Sequence, residues 1–277
     1  MLWELYLATG EALRRGLENP IKRATRIRET RAAALSRCLR RGLETATINR
    51  LWDTLPEYAF WRLSPDQLEW TTQTVVNEGE REWCIAVRPV QPHGVSELLV
   101  CVPDHKGLFA SITSILDEMG LDVMSARVLT TDDERSYDLF QLMDQHGDVL
   151  NQNDAAELVR QLQLATRDCK PRAPVKRTMP RRLRHFTFDP EIRIAKDPDQ
   201  AGSVLHIHCN DRPGLLSRIA AAIFMQDIQV HNARIATFGE RVEDTFLVSD
   251  ADHQPLTGDK KAALAKSLRE HIEEEEG

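Results

Sequence analysis

Within six residues, Asp211-Arg212-Pro213-Gly214-Leu215-Leu216 combines an acid, a proline that presets φ and a glycine that has no Cβ. Ahead of it, Leu205 to Asn210 reads as a strand. Behind it, Leu216, Ile219, Ala220, Ile223 and Phe224 recur at the spacing of one helical face. A strand, an acidic turn and a helix start bring backbone N–H groups and a carboxylate close together. Such a turn can hold a small zwitterion, with the N–H groups meeting its carboxylate and Asp211 its ammonium. Taken alone, the turn is more economically read as a helix cap followed by a glycine that lets the chain bend.

The turn is not alone. Asp104-His105-Lys106-Gly107-Leu108-Phe109 stands 107 residues earlier, again between an apolar strand (Leu98 to Val102) and an amphipathic helix. At the same offset Ile112 matches Ile219, Ala126 matches Ala233, Arg127 matches Arg234 and Thr130 matches Thr237. One residue is lost in the next turn, after which Asp138 matches Asp244, Phe140 matches Phe246 and Asp144 matches Asp250. This internal repeat is the strongest organising signal in the chain.

The elements that position the turns follow from the same pattern. Trp83 to Val87 reads as a strand, followed by a loop with Pro89, Pro92 and Gly94 and the strand that leads to Asp104. Ile192 to Ala195 and Val204 onward repeat that arrangement before Asp211. Two further strands follow each helix, Asp122 to Thr130 with Tyr137 to Asp144, and Gln229 to Phe238 with Val242 to Asp250. A ferredoxin-like sheet sets its last strand beside its first; here the preceding hairpin strand takes that slot, so each repeat is expected to be a permuted ββαββα unit with four strands.

Met1 to about Val76 reads as helical, with an apolar stripe at Leu2, Leu5, Tyr6, Leu13 and Leu17, then an arginine-rich amphipathic helix ending at Gly42. The arginines are interspersed with Glu18, Glu29 and Glu44 and read as a solvated face. At Ser64-Pro65-Asp66-Gln67 a capping box opens the last helix of this segment. The expected division is a helical segment over 1–78, a first repeat over 82–169, a basic linker over 170–185 and a second repeat over 186–277. The stripe begins mid-pattern at residue 2, which reads as the tail of a longer protein.

A net charge of −7 over 277 residues argues against a general nucleic-acid binder, and no apolar run approaches bilayer length. The basic linker, with Lys170, Arg172, Lys176, Arg177, Arg181, Arg182 and Arg184, lacks aromatic residues until Phe186 and Phe188, so it reads as a tether and not as a nucleic-acid groove. A cytoplasmic setting is the default, and five widely spaced cysteines without Cys-x-x-Cys read as reduced, packed thiols. No catalytic set emerges. Gly202-Ser203 lacks the paired carboxylates that hold magnesium against a nucleotide, no His-Asp dipeptide occurs, and His206 with His208 offers two ligands on one strand where a metal needs more. No metal site or cofactor is expected in this chain.

In this order of elements, two Asp-x-x-Gly-Leu units resemble tandem ACT domains, small modules that commonly bind amino acids. Arg15-Gly16-Leu17-Glu18-Asn19-Pro20, Leu55-Pro56-Glu57-Tyr58, Ser64 to Trp70, Asp211 to Leu216 and Val242-Glu243-Asp244-Thr245-Phe246 resemble the carboxyl-terminal region of the bifunctional uridylyltransferase/uridylyl-removing enzymes that modify the PII signal protein. The resemblance implies that residues 1–78 are the end of an HD domain and its connector. It places the magnesium-dependent catalytic domains outside this chain, and implies glutamine or another amino acid as ligand, PII as partner and ACT–ACT pairing within or between chains. The competing reading is a PII-docking or oligomerising module with no small ligand.

The expected ligand-binding residues are Asp104, Gly107 and Leu108 in the first repeat, and Asp211, Pro213, Gly214 and Leu215 in the second. Asn232 on a facing strand joins them, the start of that strand around Val230 to Asn232, or around Asp122 to Met124, forming the other wall. Because Lys106 replaces proline in the first turn, the second turn is expected to bind more tightly, with Gly214→Val more damaging than Gly107→Val.

Overall fold

The computed structural model describes residues 20–79, 83–90, 94–168, 189–197, 202–238 and 241–273. These fall into two compact units, one over Met1–Glu80 with Thr131–Asp133, the other over Arg81–Thr130 and Glu134–Gly277. The two repeats therefore share one unit. The apolar stripe of residues 2–17, the basic linker and Phe186 with Phe188 lie outside the described residues.

Among the described residues, the helices of the first unit are α1 (Pro20–Arg40), α2 (Thr45–Trp52), α3 (Glu57–Arg62) and α4 (Pro65–Glu78). Ala34, Cys38, Ile48, Phe60 and Leu68 are buried between them. Trp52 stacks edge-on against Phe60 at 5.4 Å and donates from Nε1 to Thr72 Oγ1 at 2.8 Å, so its one polar atom is satisfied inside the core. The capping box forms as its sequence predicts: Gln67 N–H donates to Ser64 Oγ at 3.1 Å and Ser64 N–H to Gln67 Oε1 at 3.0 Å. The arginines of this segment lie on a solvated face, Arg26, Arg28, Arg40 and Arg41 being exposed, and two of them also reach the core's edge. Arg31 lies over the Phe60 ring at 4.9 Å, and Arg41 donates to the buried Glu69 carboxylate at 2.9 Å.

The second unit is built on one eight-stranded sheet. Its strands are β1 (Cys84–Val90), β2 (Val95–Pro103), β3 (Asp122–Leu129), β4 (Arg135–Met143), β5 (Glu191–Lys196), β6 (Ser203–Asn210), β7 (Gln229–Phe238) and β8 (Arg241–Ser249), in the spatial order β1-β2-β4-β3-β7-β8-β6-β5. Its helices are α5 (Leu108–Glu118), α6 (Gln152–Asp168), α7 (Leu215–Met225) and α8 (Gly258–Glu273). Each half has the four-strand order expected of a permuted ferredoxin-like unit, with β1 and β5 in the slot that the last strand would otherwise fill. All the pairings are antiparallel.

The two halves meet at β3 and β7, which pair from Ser125↔Ala236 to Leu129↔Asn232 and so make one continuous sheet. Period-2 alternation supplies its helix-facing side: Leu98, Val100 and Val102 on β2, Ala126 and Val128 on β3, Ala233 and Ile235 on β7 all join the core. Against them lie Ile112, Ile115 and Leu116 of α5 and Ile219, Ala220 and Ile223 of α7. The core thus runs without a break through both repeats, which fixes the two Asp-x-x-Gly turns relative to each other.

Candidate functional site

Each turn ends in a glycine that caps its helix in the left-handed region, Gly107 at φ 85 and Gly214 at φ 73, a conformation open to glycine and costly for branched residues. The local bonds repeat as well. Leu108 N–H donates to His105 O and Leu215 N–H to Arg212 O, both at 3.1 Å; Ser111 N–H donates to Gly107 O at 2.8 Å and Arg218 N–H to Gly214 O at 3.0 Å. In both turns the first helical N–H is thus taken by the turn itself, which leaves the next two, of Phe109 and Ala110 and of Leu216 and Ser217, without an intrahelical acceptor.

The first turn opens onto a cavity of about 270 Å³. Asp104, Gly107 and Leu108 line one side of it with Phe109 and Ala110; the opposite wall comes from the other repeat, with Ile223 and Phe224 at the end of α7, Gln229 to His231 at the start of β7, and His253. Asp104 stands at the rim, its Oδ2 accepting from Thr130 Oγ1 at 3.0 Å, and loss of water around it raises its carboxyl pKa. Asp138 lines the inner end. It is 1% exposed, and burial pushes its carboxyl up to about 8, against the pull of Ser136 and of the Leu129 N–H, which donates to Oδ1 at 3.2 Å. His231 shares a 2.7 Å hydrogen bond between Nε2 and Ser249 Oγ and lies 5.7 Å, ring to ring, from His253. Burial first, and His253 second, lower its pKa, so it stays neutral at physiological pH. Lys106 crosses the mouth, ion-paired with Asp227 and 5.8 Å from the Phe224 ring.

The second turn is built differently. A Cβ on Gly214 would meet the Asp117 carboxylate at 2.8 and 2.9 Å, so the approach path is already filled by a side chain from the end of α5. Burial and the nearby charge of Asp122 push Asp211 up to about 6. Asp244, the counterpart of Asp138, is pushed up to about 8 by burial, while Ala236 N–H donates to its Oδ1 at 3.3 Å. Where the first cavity has Phe224 and Gln229, the equivalent places beside the second turn hold Asp117 and Asp122.

Of the residues expected from sequence, Asp104, Gly107 and Leu108 come together at the cavity, and Asp211, Pro213, Gly214 and Leu215 come together at the filled turn. Asn232 is buried in the β3–β7 seam opposite Leu129 and does not line the cavity. The facing wall expected at the start of β7 is present, but Gln229, Val230 and His231 form it. Phe224 and His253 escaped sequence reasoning, because only the pairing of β7 with β3 brings them to the first turn. His206 and His208 lie on one face of β6, and His206 Nδ1 hydrogen-bonds Thr245 Oγ1 at 3.1 Å. Among the described residues no cluster of histidine, cysteine and acid could hold a metal, and no helix is long and apolar enough to cross a membrane. Cys38, Cys84, Cys101 and Cys209 are buried and take part in no disulfide; burial pushes the Cys209 thiol up to about 12.

The strand order in each half, the glycine-capped turns and the side-by-side pairing through β3 and β7 define a tandem pair of ACT-type modules. Residues 22–74, in the helical unit, match the family model described as the uridylyltransferase GlnD fifth domain. The chain is 34% identical over 270 residues to the bifunctional uridylyltransferase/uridylyl-removing enzyme of Xanthomonas axonopodis pv. citri, a match covering 97% of this chain and 31% of that enzyme. The enzyme of the same name from Pseudomonas fluorescens is 33% identical over 267 residues, covering 93% and 29%. Among solved structures, aspartate kinase from Synechocystis covers 65% of this chain and 28% of its own, with 15% identity and a TM-score of 0.38. The chain matches the carboxyl-terminal region of the bifunctional uridylyltransferase/uridylyl-removing enzymes and spans about a third of the length of these curated relatives.

Proposed function

We propose that this chain is the amino-acid-sensing region of a cytoplasmic PII uridylyltransferase/uridylyl-removing enzyme, and that glutamine binds at the first turn. The observation that carries this reading is the cavity between the Asp104–Ala110 turn and the start of β7. Its volume lies at the lower edge of the range usual for small-molecule sites, about 300–1,000 Å³, which suits a single amino acid. The helix-start N–H groups take the ligand's carboxylate and Asp104 takes its ammonium. Three groups around the cavity are uncharged at neutral pH: His231 is held neutral, Asp138 keeps its proton, and Gln229 is an amide. An uncharged side-chain amide fits these groups better than a carboxylate, which would lose its hydration beside them while Lys106 is already paired with Asp227.

Ligand occupancy would join the two repeats across the seam, and the catalytic domains of the relatives would read that change while acting on PII. Calorimetry of the 277-residue chain with glutamine and with glutamate tests the proposal. Saturable glutamine binding at least about tenfold tighter than glutamate is expected. If glutamine does not bind at millimolar concentration, or glutamate binds equally well, the proposal fails.

A further inference from the structure

Asp138 does in the first repeat what Asp244 does in the second: one carboxyl oxygen holds a strand N–H, that of Leu129 at 3.2 Å and that of Ala236 at 3.3 Å. That duty accounts for Oδ1 alone. Oδ2 of Asp138 is buried and has no hydrogen-bond partner among the described residues, and Ser136 lies near enough to pull on the carboxyl without bonding that atom. Asp138 and Ser136 both line the cavity beside the first turn. A buried polar atom without a partner is uncommon and costly, and a ligand that supplies the partner removes the cost.

Which partner it needs follows from where the proton sits. Oδ1 accepts from Leu129, so the proton of the neutral carboxyl is on Oδ2, and that atom is a donor that lacks an acceptor. Two carboxyls border this cavity in different settings. Asp104, exposed at the rim, ionises first; burial, and after it the charge of Asp104, keeps Asp138 neutral. The other titratable groups lining the cavity are His105, Lys106 and Glu134 on the same repeat and His231 and His253 on the other.

We propose that Asp138 is a ligand-binding residue, its Oδ2–H donating a hydrogen bond to an oxygen of the amino acid in the cavity. This rests on the reading of that cavity as the amino-acid site. With the ligand's ammonium on Asp104 and one of its oxygens on Asp138, the two acids play opposite parts, one as an anion and one as a donor. Above about pH 8 Asp138 ionises, loses the donor and turns a negative charge toward the ligand oxygen. Affinity is therefore lost as pH rises, the reverse of what a second carboxylate acting on the ammonium would give.

The test is calorimetry of the 277-residue chain with glutamine from about pH 6 to about pH 9.5, on the parent, Asp138→Asn and Asp138→Leu, with circular dichroism to check folding. Asparagine keeps both functions, its oxygen accepting from Leu129 and its amide donating at any pH. Parent affinity is expected to stay level up to about pH 8 and then to fall toward about tenfold per pH unit, because only the protonated form binds. Asp138→Asn should bind within about threefold of the parent at low pH and lose that fall, and Asp138→Leu should bind about tenfold or more weakly throughout. The ligand's ammonium and the other titratable groups of the cavity are common to the parent and the asparagine variant, so the difference between their pH profiles belongs to Asp138. The assignment is overturned, with the cavity reading intact, if glutamine binds but Asp138→Leu matches the parent, or if Asp138→Asn is as weak as Asp138→Leu, which would make the carboxylate and not the acid the group that meets the ligand. If glutamine binds the parent at no pH, the cavity reading and this assignment fall together.

Discussion

The two Asp-x-x-Gly turns share backbone geometry, hydrogen bonds and a left-handed glycine cap, yet one borders a cavity and the other is filled by an acid. The difference lies in what the opposite repeat presents. Phe224 and Gln229 face the first turn, and the equivalent Asp117 and Asp122 stand beside the second. A repeat therefore duplicates the half-site it carries without duplicating the whole site, because each site is completed by the other repeat. The preference for the second turn drawn from Pro213 weighed only the turn itself and took no account of the partner wall.

Substitution at the two glycines separates the turns most sharply. Gly107→Val places a branched side chain at φ 85 beside the helix-start N–H groups, and glutamine binding should vanish at all concentrations up to millimolar, as read by calorimetry. Gly214→Val should behave in the opposite way. Its Cβ would press on Asp117, so unfolding free energy should fall by about 2–4 kcal/mol in urea titration, while the folded protein keeps its affinity for glutamine. If Gly214→Val were the variant that lost binding, the comparison between the turns would be broken.

The buried acids test whether the halves are alike below their turns. Asp138 and Asp244 keep their protons in the folded protein up to about pH 8, whereas in the unfolded chain they ionise above about pH 4. Their contribution to stability is therefore complete below about pH 4 and is lost as pH rises from there to about 8. Asp138→Asn and Asp244→Asn should each remove part of that decline and raise stability at pH 8 by on the order of 2 kcal/mol, measured by chemical denaturation at several pH values. Equal effects would confine the asymmetry to the turns; a much smaller effect for Asp138→Asn would show that the cavity lets water reach that carboxyl.

The smallest change is expected at the mouth. Lys106→Ala removes a pair with Asp227 in which both side chains are about half exposed and screened by water, and the melting temperature should hardly move. A larger effect in thermal denaturation would mean that the Lys106 crossing holds the repeats together at this point.

Much of this was legible in the sequence, for identifiable reasons. The capping box at Ser64 and the glycine caps are local, so a few residues specify them. The permuted sheet followed from a hairpin strand placed ahead of each turn, since a hairpin forces antiparallel neighbours. What local pattern does not encode is which strand of one repeat meets which strand of the other. Only the β3–β7 register brings His231, His253 and Phe224 to the first turn and sends Asn232 into the seam, and no spacing along the chain records that register. Arg41, just past the end of α1, shows the same limit: Glu69, which takes it, is 28 residues away in the chain.

The seam also bears on how the chain comes to be made. During synthesis β3 emerges long before β7, and until β7 arrives β3 is an edge strand with a row of unmet N–H and C=O groups. A nascent or truncated first repeat thus presents a ready template for another strand, and a second copy of the same β3 is the nearest substitute in shape. Covalent duplication places the proper partner in the same molecule at high effective concentration, so the linker between the repeats protects the folding chain from self-association as well as joining its halves.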